Sequence, residues 1–370
     1  MKAGVIGAGT MGAAIAALFA NADYDVVLVD VSEEALKKAK ERHEGEILRE
    51  LELSGLKRRD ELISKITYTT DLNVLKECSF VVEAIVEKLD LKRELLKKLE
   101  EIVDDNCIIA TNTSSFMPSE VAEGMKKPER LVLSHFSNPP ILMPLVEVGG
   151  KSVSEDVLAR TVDIAKSIGK SPIVLRKECR GHVLNRMLGA AGAGVSYCLL
   201  YYRPEQIDAA LKNLGSPFGF FETLDLIGLD VVLDVLVSYR EVYGDKFAGF
   251  KATEFFFQKM VEWGKLGKKT GEGFYKWVEG KAVIPEADPA DITPLVAAIV
   301  NEAFRIVEEE ITDKETVNEV YKLATNSPFG VFDAAEMLGY ETILRTLEEA
   351  YSRTGLEIFR PAESLKRIVE

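Results

Sequence analysis

The chain has 370 residues, 47% of them hydrophobic, which implies two or three domains and a sizeable core. Its formal charge of -14 excludes a sequence-independent nucleic-acid binder, which needs a basic field, yet leaves room for a phosphorylated ligand held by backbone N–H groups. Cys78, Cys107, Cys179 and Cys198 stand far apart with no CxxC pair, so no metal site or disulfide framework is expected, and reduced thiols in a cytoplasmic protein are.

The N-terminal MKAGVIGAGTMGAAIAALFANA has the outline of a signal peptide. It runs straight into DVVLVD, however, and cleavage would remove half of a nucleotide-binding unit, so the segment is expected to stay in the fold. From 1 to about 178, AGVI, DVVLVD, ITYTT, FVVEAIVE, CIIATNT, LVLSHF, LVEVGG and PIVLRK read as strands. Helical stretches at 11–21, 33–63, 90–103 and 154–168 separate them. This alternation predicts a mostly parallel, doubly wound sheet covered on both faces. The segment 33–63 is too long for one crossover helix and, with Gly55 inside it, reads as a projecting helical hairpin.

Past Arg180 helices dominate. The apolar run 188–202 is shorter than the ~20 residues of a membrane span and suits a buried helix, so no membrane partner is expected. SPFGFFETLDLIGLD (216–230) and SPFGVFDAAEMLGYE (327–341) align at an offset of 111, behind long helices at 182–202 and 293–311. Two copies of one helical unit are expected to stack on a shared face. The stretch 267–291 between them is rich in Gly, Pro and charge, as a linker should be.

Two motifs carry chemistry. The loop Gly7, Ala8, Gly9, Thr10, Met11, Gly12 has the spacing G-x-G-x-x-G, follows a strand and opens a helix, and Asp30 ends the next strand. That combination is the dinucleotide fingerprint. Gly7 permits the turn, Gly9 lets the backbone approach a pyrophosphate and Gly12 lets helix pack on strand. Asp30 would bond ribose hydroxyls and repel a 2′-phosphate, with no Arg at Val31 or Ser32, so NAD is expected over NADP. The second motif is SHFSNPPILMPLVEV, where His135 ends an apolar strand and Glu147 sits among valines and leucine. A buried carboxylate needs a partner. An imidazole donating to it would gain basicity at its free nitrogen, as a general base requires. Taken singly, each residue reads better as a structural group; beside a dinucleotide fold the pair points to catalysis.

HFSNPPILMPLVEV closely resembles a signature of the L-3-hydroxyacyl-CoA dehydrogenases, and so do NTSS (112–115), EAIVEKLDLKREL (83–95), GHVLNRML (181–188) and GKKTGEGFYKW (267–277). The second helical copy resembles the tandem carboxyl-terminal domains of multifunctional β-oxidation proteins and archaeal relatives. The resemblance implies an α/β Rossmann-type NAD-binding domain over 1–179, with the insertion 33–63, then two repeated all-α domains at 180–282 and 283–370. It implies NAD-dependent oxidation of (S)-3-hydroxyacyl-CoA, with His135 as base and Glu147 orienting it. Ser114 and Asn185 would hold the substrate, Asn138 would lie beside the nicotinamide, Glu87 and Lys92 would flank the ribose and phosphates, and Lys269 would reach toward the cofactor. The family's second aromatic is Ser137 here, and its Gly-Phe is Gly181-His182. The family's CoA-contacting serine and lysine have no match, and Arg42, Arg49, Lys57, Arg58 and Arg59 are the available cations. Two other functions are compatible with the fold: a dehydrogenase of a hydroxyacid or sugar acid lacking CoA, and a non-catalytic NAD-binding protein. The expected partners are an acyl-CoA and a separate enoyl-CoA hydratase. The expected state is a monomer with an internal pseudo-dimer, with a homodimer as the alternative.

Overall fold

A computed structural model describes residues 1–55, 62–247 and 251–370. They divide into two compact units. The first comprises Met1–His182, Glu310–Thr312 and Lys322–Asn326; the second comprises Val183–Glu309, Asp313–Tyr321 and Ser327–Glu370.

The first unit is built on strands β1 (Lys2–Ile6), β2 (Asp25–Val29), β3 (Ile66–Thr69), β4 (Phe80–Glu83), β5 (Ile108–Thr111), β6 (Leu131–Phe136), β7 (Leu145–Gly149) and β8 (Ser171–Val174). They form one sheet in the order β3-β2-β1-β4-β5-β6-β7-β8. All eight expected strands are present, and the β-branched, two-sided burial of β1, β2, β4 and β5 is what a sheet covered on both faces requires. The pairing is parallel from β3 to β6, turns antiparallel between β6 and β7, and is parallel again between β7 and β8. The antiparallel step has a local cause. Only residues 137–144 join β6 to β7, too few for the dozen or more of a crossover connection.

Helices α1 (Thr10–Asn21), α2 (Glu33–Glu44), α3 (Glu46–Leu53), α4 (Leu89–Ile102), α5 (Pro118–Val121) and α6 (Glu155–Ser167) cover the sheet. Nearly every residue of α1 is buried, so the N-terminal segment is integral to the core. The insertion is interrupted at two places among the described residues: at Gly45, between α2 and α3, and after Leu53, where Gly55 has φ +73°. Lys57, Arg58 and Arg59 lie outside the described residues. His43 is fully buried and fastens α2 to α1, with Nε2 2.7 Å from the Ala13 carbonyl oxygen and Nδ1 2.7 Å from the Tyr68 hydroxyl.

The rest is helical: α7 (His182–Cys198), α8 (Pro204–Asn213), α9 (Phe220–Ile227), α10 (Leu229–Tyr243), α11 (Lys251–Glu262), α12 (Thr293–Glu308), α13 (Lys314–Thr325), α14 (Val331–Leu338), α15 (Tyr340–Thr354) and α16 (Glu363–Val369). Within the expected linker, β9 (Lys276–Val278) and β10 (Lys281–Val283) form a small hairpin. No helix among the described residues is long and apolar enough to cross a membrane.

Candidate active site

Because β1, β4, β5 and β6 are parallel, their carboxyl ends share one edge, where ligands bind in open α/β sheets. The loop after β1 opens there. Gly7 has φ +104°, and a Cβ on it would lie 2.4 Å from the Ala84 carbonyl oxygen; one on Gly12 would lie 1.8 Å from the Gly7 oxygen. Gly9, in contrast, is exposed with open space around it. It caps α1 without a side chain, so the first amides of the helix have no carbonyl behind them. Thr10 is exposed, Met11 half-buried and Ala8 buried. Asp30 accepts from the Ala8 amide at 2.7 Å through Oδ2 and from the Ser32 amide at 2.9 Å through Oδ1. An open glycine, orphan amides and a positive helix end suit a pyrophosphate, and the residues present fit a dinucleotide.

On the same edge His135 and Glu147 face each other directly across the antiparallel pair. The imidazole is 4% exposed and the carboxylate 0%. Nδ1 lies 2.8 Å from Glu147 Oε2. A carboxylate only accepts, so Nδ1 carries the proton and Nε2 presents a lone pair.

Beside them is a second buried charge cluster. Lys92, 1% exposed, donates to Glu83 Oε1 at 2.7 Å and lies 3.1 Å from Glu87 Oε2. Glu83 also accepts from the Thr111 hydroxyl at 2.7 Å and the Ile85 amide at 2.8 Å. Burial pushes the Lys92 ammonium toward neutrality, but the two carboxylates outweigh it and hold its pKa above the ordinary lysine value. Glu87 Oε1 collects the Thr113 hydroxyl at 2.5 Å and the amides of Ser114 and Ser115 at 2.9 and 2.8 Å. Its burial raises its pKa, yet Lys92 and those donors bring it below the usual carboxylate value. The pair therefore shapes the loop that carries half-buried Ser114, and Lys92 has no exposed surface to offer a ligand. Asn138 is exposed in the connection after β6. Asn185, half-buried, belongs to the first turns of α7 in the second unit; Lys269, in the same unit, bonds Asp230 at 2.6 Å.

Comparison with known proteins identifies the lineage. Residues 2–179 match the model of the 3-hydroxyacyl-CoA dehydrogenase NAD binding domain, and 181–277 and 293–370 match that of the C-terminal domain of the same enzymes. The chain belongs to the 3-hydroxyacyl-CoA dehydrogenase family. It is 35% identical to a probable 3-hydroxybutyryl-CoA dehydrogenase of Deinococcus radiodurans, over 75% of this chain and 100% of that protein. It is 30% identical to the fatty acid oxidation complex subunit alpha of Idiomarina loihiensis, over 100% of this chain but 55% of that protein. The crystal structure of a 3-hydroxybutyryl-CoA dehydrogenase from Escherichia coli K12 superposes with a TM-score of 0.85 at 25% identity, covering 99% of this chain and 98% of that one.

Two residues of this family member, Glu83 and Lys170, escaped the sequence reading, and a third, His182, showed there only as a departure from the family's Gly-Phe. Glu83 had the same signal as Glu147, a carboxylate inside an apolar strand. Lys170, buried, donates to the carbonyls of Ile141 and Met143 at 3.1 Å each and braces the loop between the His135 and Glu147 strands; burial lowers its pKa to about 8. His182, fully buried, has its ring 4.9 Å from that of His135. Its Nε2 lies 2.9 Å from the Thr113 carbonyl oxygen, so Nε2 carries the proton and Nδ1 is an acceptor, with no partner among the described residues. Burial first, and His135 second, push its pKa down to about 4. The Ser137 hydroxyl is likewise buried without a partner. In sequence both stood out only as polar residues where the family carries aromatic rings.

Proposed function

We propose that this dehydrogenase oxidises (S)-3-hydroxyacyl-CoA to 3-oxoacyl-CoA with His135 as general base. The observation that carries the reading is the buried His135–Glu147 pair on the sheet edge that also bears the dinucleotide loop. NAD, when bound, supplies the carbon that accepts hydride from C3 of the substrate. His135 takes the hydroxyl proton at Nε2, and Glu147 stabilises the resulting imidazolium through Nδ1–H. Ser114 and Asn185 are the neutral donors that hold the substrate's oxygens as alcohol becomes ketone. Lys92 and Glu87 act on the cofactor through the loop they shape. Gly9, the first amides of α1 and Asp30 bind its pyrophosphate and ribose, Asn138 lies beside the nicotinamide, and Lys269 is a further cofactor contact. The test is NADH oxidation driven by acetoacetyl-CoA, measured against free 3-oxo acids of the same length. Preference for the thioester supports the reading; preference for free acids would transfer the same machinery to a substrate without CoA.

The proposal extends to the helical region as two copies of one all-α domain, 180–282 and 283–370, most of whose residues fall in the second compact unit. Local geometry supports it. Asp208 Oδ1 accepts from the Phe221 amide at 2.9 Å, and Asn318 Oδ1 from the Phe332 amide at 2.8 Å, an offset of 111 in the donors. The Gly219 amide donates to Glu222 as the Gly330 amide does to Asp333, and Gly228 and Gly339 share positive φ. The first helices of the copies, α7 and α12, approach so closely that a Cβ on Gly194 would lie 2.6 Å from Leu295 Cα. Such a contact supports an internal pseudo-dimer and a monomeric chain, which light scattering checks. The chain spans 55% of the fatty acid oxidation complex subunit from Idiomarina loihiensis, and a separate enoyl-CoA hydratase is the proposed partner, checked by co-elution.

A further inference from the structure

We propose that the second helical copy sets the aim of Asn185 through the ion pairs that α12 and Glu309 make with Arg186. The inference rests on the reading of Asn185 as a substrate-holding residue. Arg186 follows Asn185 on α7, and its side chain is 5% exposed. Its Nε donates to Glu302 Oε1 at 2.6 Å, and its two terminal nitrogens bond both oxygens of Glu309 at 2.5 and 2.9 Å. Glu302 is 0% exposed and also accepts from Lys246 at 2.9 Å. Burial pushes the Glu309 carboxyl up, but Arg186 brings it below the ordinary value, so the pair stays charged.

The geometry makes this more than a brace. Successive side chains on a helix stand about 100° apart, so the azimuth of Arg186 fixes that of Asn185. The bidentate guanidinium–carboxylate pair defines a plane as well as a distance. About 12 Å further along α7, Gly194 sits against the backbone of α12 at Leu295, a second point of attachment. Two such points on one partner helix remove the rotation of α7 about its own axis. Freed by about 20°, α7 would carry a side-chain tip roughly 2 Å sideways. Displacements of about 1 Å cost up to about 10²-fold in rate when a group must meet a reacting substrate. A copy that contributes none of the site residues named above thus positions one of them.

The experiment is a double-mutant cycle on the full chain, read as acetoacetyl-CoA reduction by NADH well below each variant's melting temperature. Glu309→Gln and Asn185→Ala are each expected to lower kcat/KM for acetoacetyl-CoA by about tenfold or more, with KM for NADH within about twofold. The double variant is expected to be no worse than the weaker single one, because both remove the same contact. Losses that multiply in the double variant, or a Glu309→Gln chain that melts lower with unchanged kinetics, would overturn the proposal. If Glu309→Gln does not fold, Glu302→Gln takes its place in the cycle with the same outcomes. An Asn185→Ala enzyme at full activity overturns it too, while wild-type turnover of acetoacetyl-CoA leaves the dehydrogenase reading standing.

Discussion

The sheet edge holds two buried clusters built from similar parts, a histidine on one carboxylate and a lysine on two. His135 and Glu147 share one hydrogen bond, and among the described residues no hydrogen bond occupies the other imidazole nitrogen. Lys92 faces two carboxylates, and those carboxylates in turn gather two hydroxyls and three backbone amides. Both places bury a carboxylate completely, Glu147 in one and Glu83 in the other. What differs is the imidazole nitrogen left over, and the proposal above takes that remainder as the mark of the functional group.

The largest expected effect tests the closed cluster. Lys92→Met leaves Glu83 charged, buried and without its cation, which should cost about 3–5 kcal/mol in urea unfolding. If Lys92 instead served mainly as a ligand contact, stability would hold and NADH affinity alone would fall. The next effect tests the open pair. His135→Gln should lower turnover by ~10²-fold or more, the usual worth of a general base, with NADH binding nearly intact. Turnover within a few-fold of the parent would place the base elsewhere.

Much of this was legible in sequence, for identifiable reasons. The strands showed because β-branched runs bounded by turn residues leave a strong pattern, and the nucleotide loop because glycine is required where φ is positive or backbones nearly touch, as at Gly7 and Gly12. The reversal at β7 was not drawn, although the eight residues 137–144 rule out a crossover and so force His135 and Glu147 face to face. The burial of the cluster at Lys92 does not show in the sequence for a different reason. Whether a helical lysine is exposed depends on which face of α4 meets β4, and a charged letter does not reveal that. The break at Gly45 was missed because glycine tolerates several conformations, and only packing at Ile47 and Leu51 selects the site of the turn.

His182 is the intermediate case, one nitrogen bonded to Thr113 and one left over, and its titration sharpens the contrast. Its folded pKa of about 4 lies below the ordinary 6.5 because burial, then His135, disfavour the imidazolium. The unfolded chain therefore binds the proton first as pH falls. Stability from this residue is complete above 6.5 and drains between 6.5 and about 4, amounting to about 2 kcal/mol by pH 5. His43, also lowered by burial, adds in the same direction. Denaturant midpoints measured from pH 7.5 to 5 should fall, and His182→Phe should flatten the slope. An unchanged slope would mean that the leftover nitrogen is satisfied in solution and that His182 belongs with the closed cluster.

Asp30 gives the smallest effect and the finest division between the two kinds of site. Both of its oxygens are engaged by backbone amides, as in a scaffold, yet it is only partly buried and is the group proposed above to meet the ribose. Removing the whole side chain would mix the two roles, since the loop at Ala8 would lose its acceptor. Asp30→Asn separates them: the amide oxygen still accepts one backbone bond, while the negative charge that opposes a 2′-phosphate is gone. The ratio of kcat/KM for NADH to that for NADPH should narrow by roughly tenfold, an order of magnitude set by one charge–charge repulsion near the surface. Thermal stability should hardly change. If the ratio stays fixed while stability drops, Asp30 is a loop anchor, and the cofactor's ribose is selected by other groups on this edge.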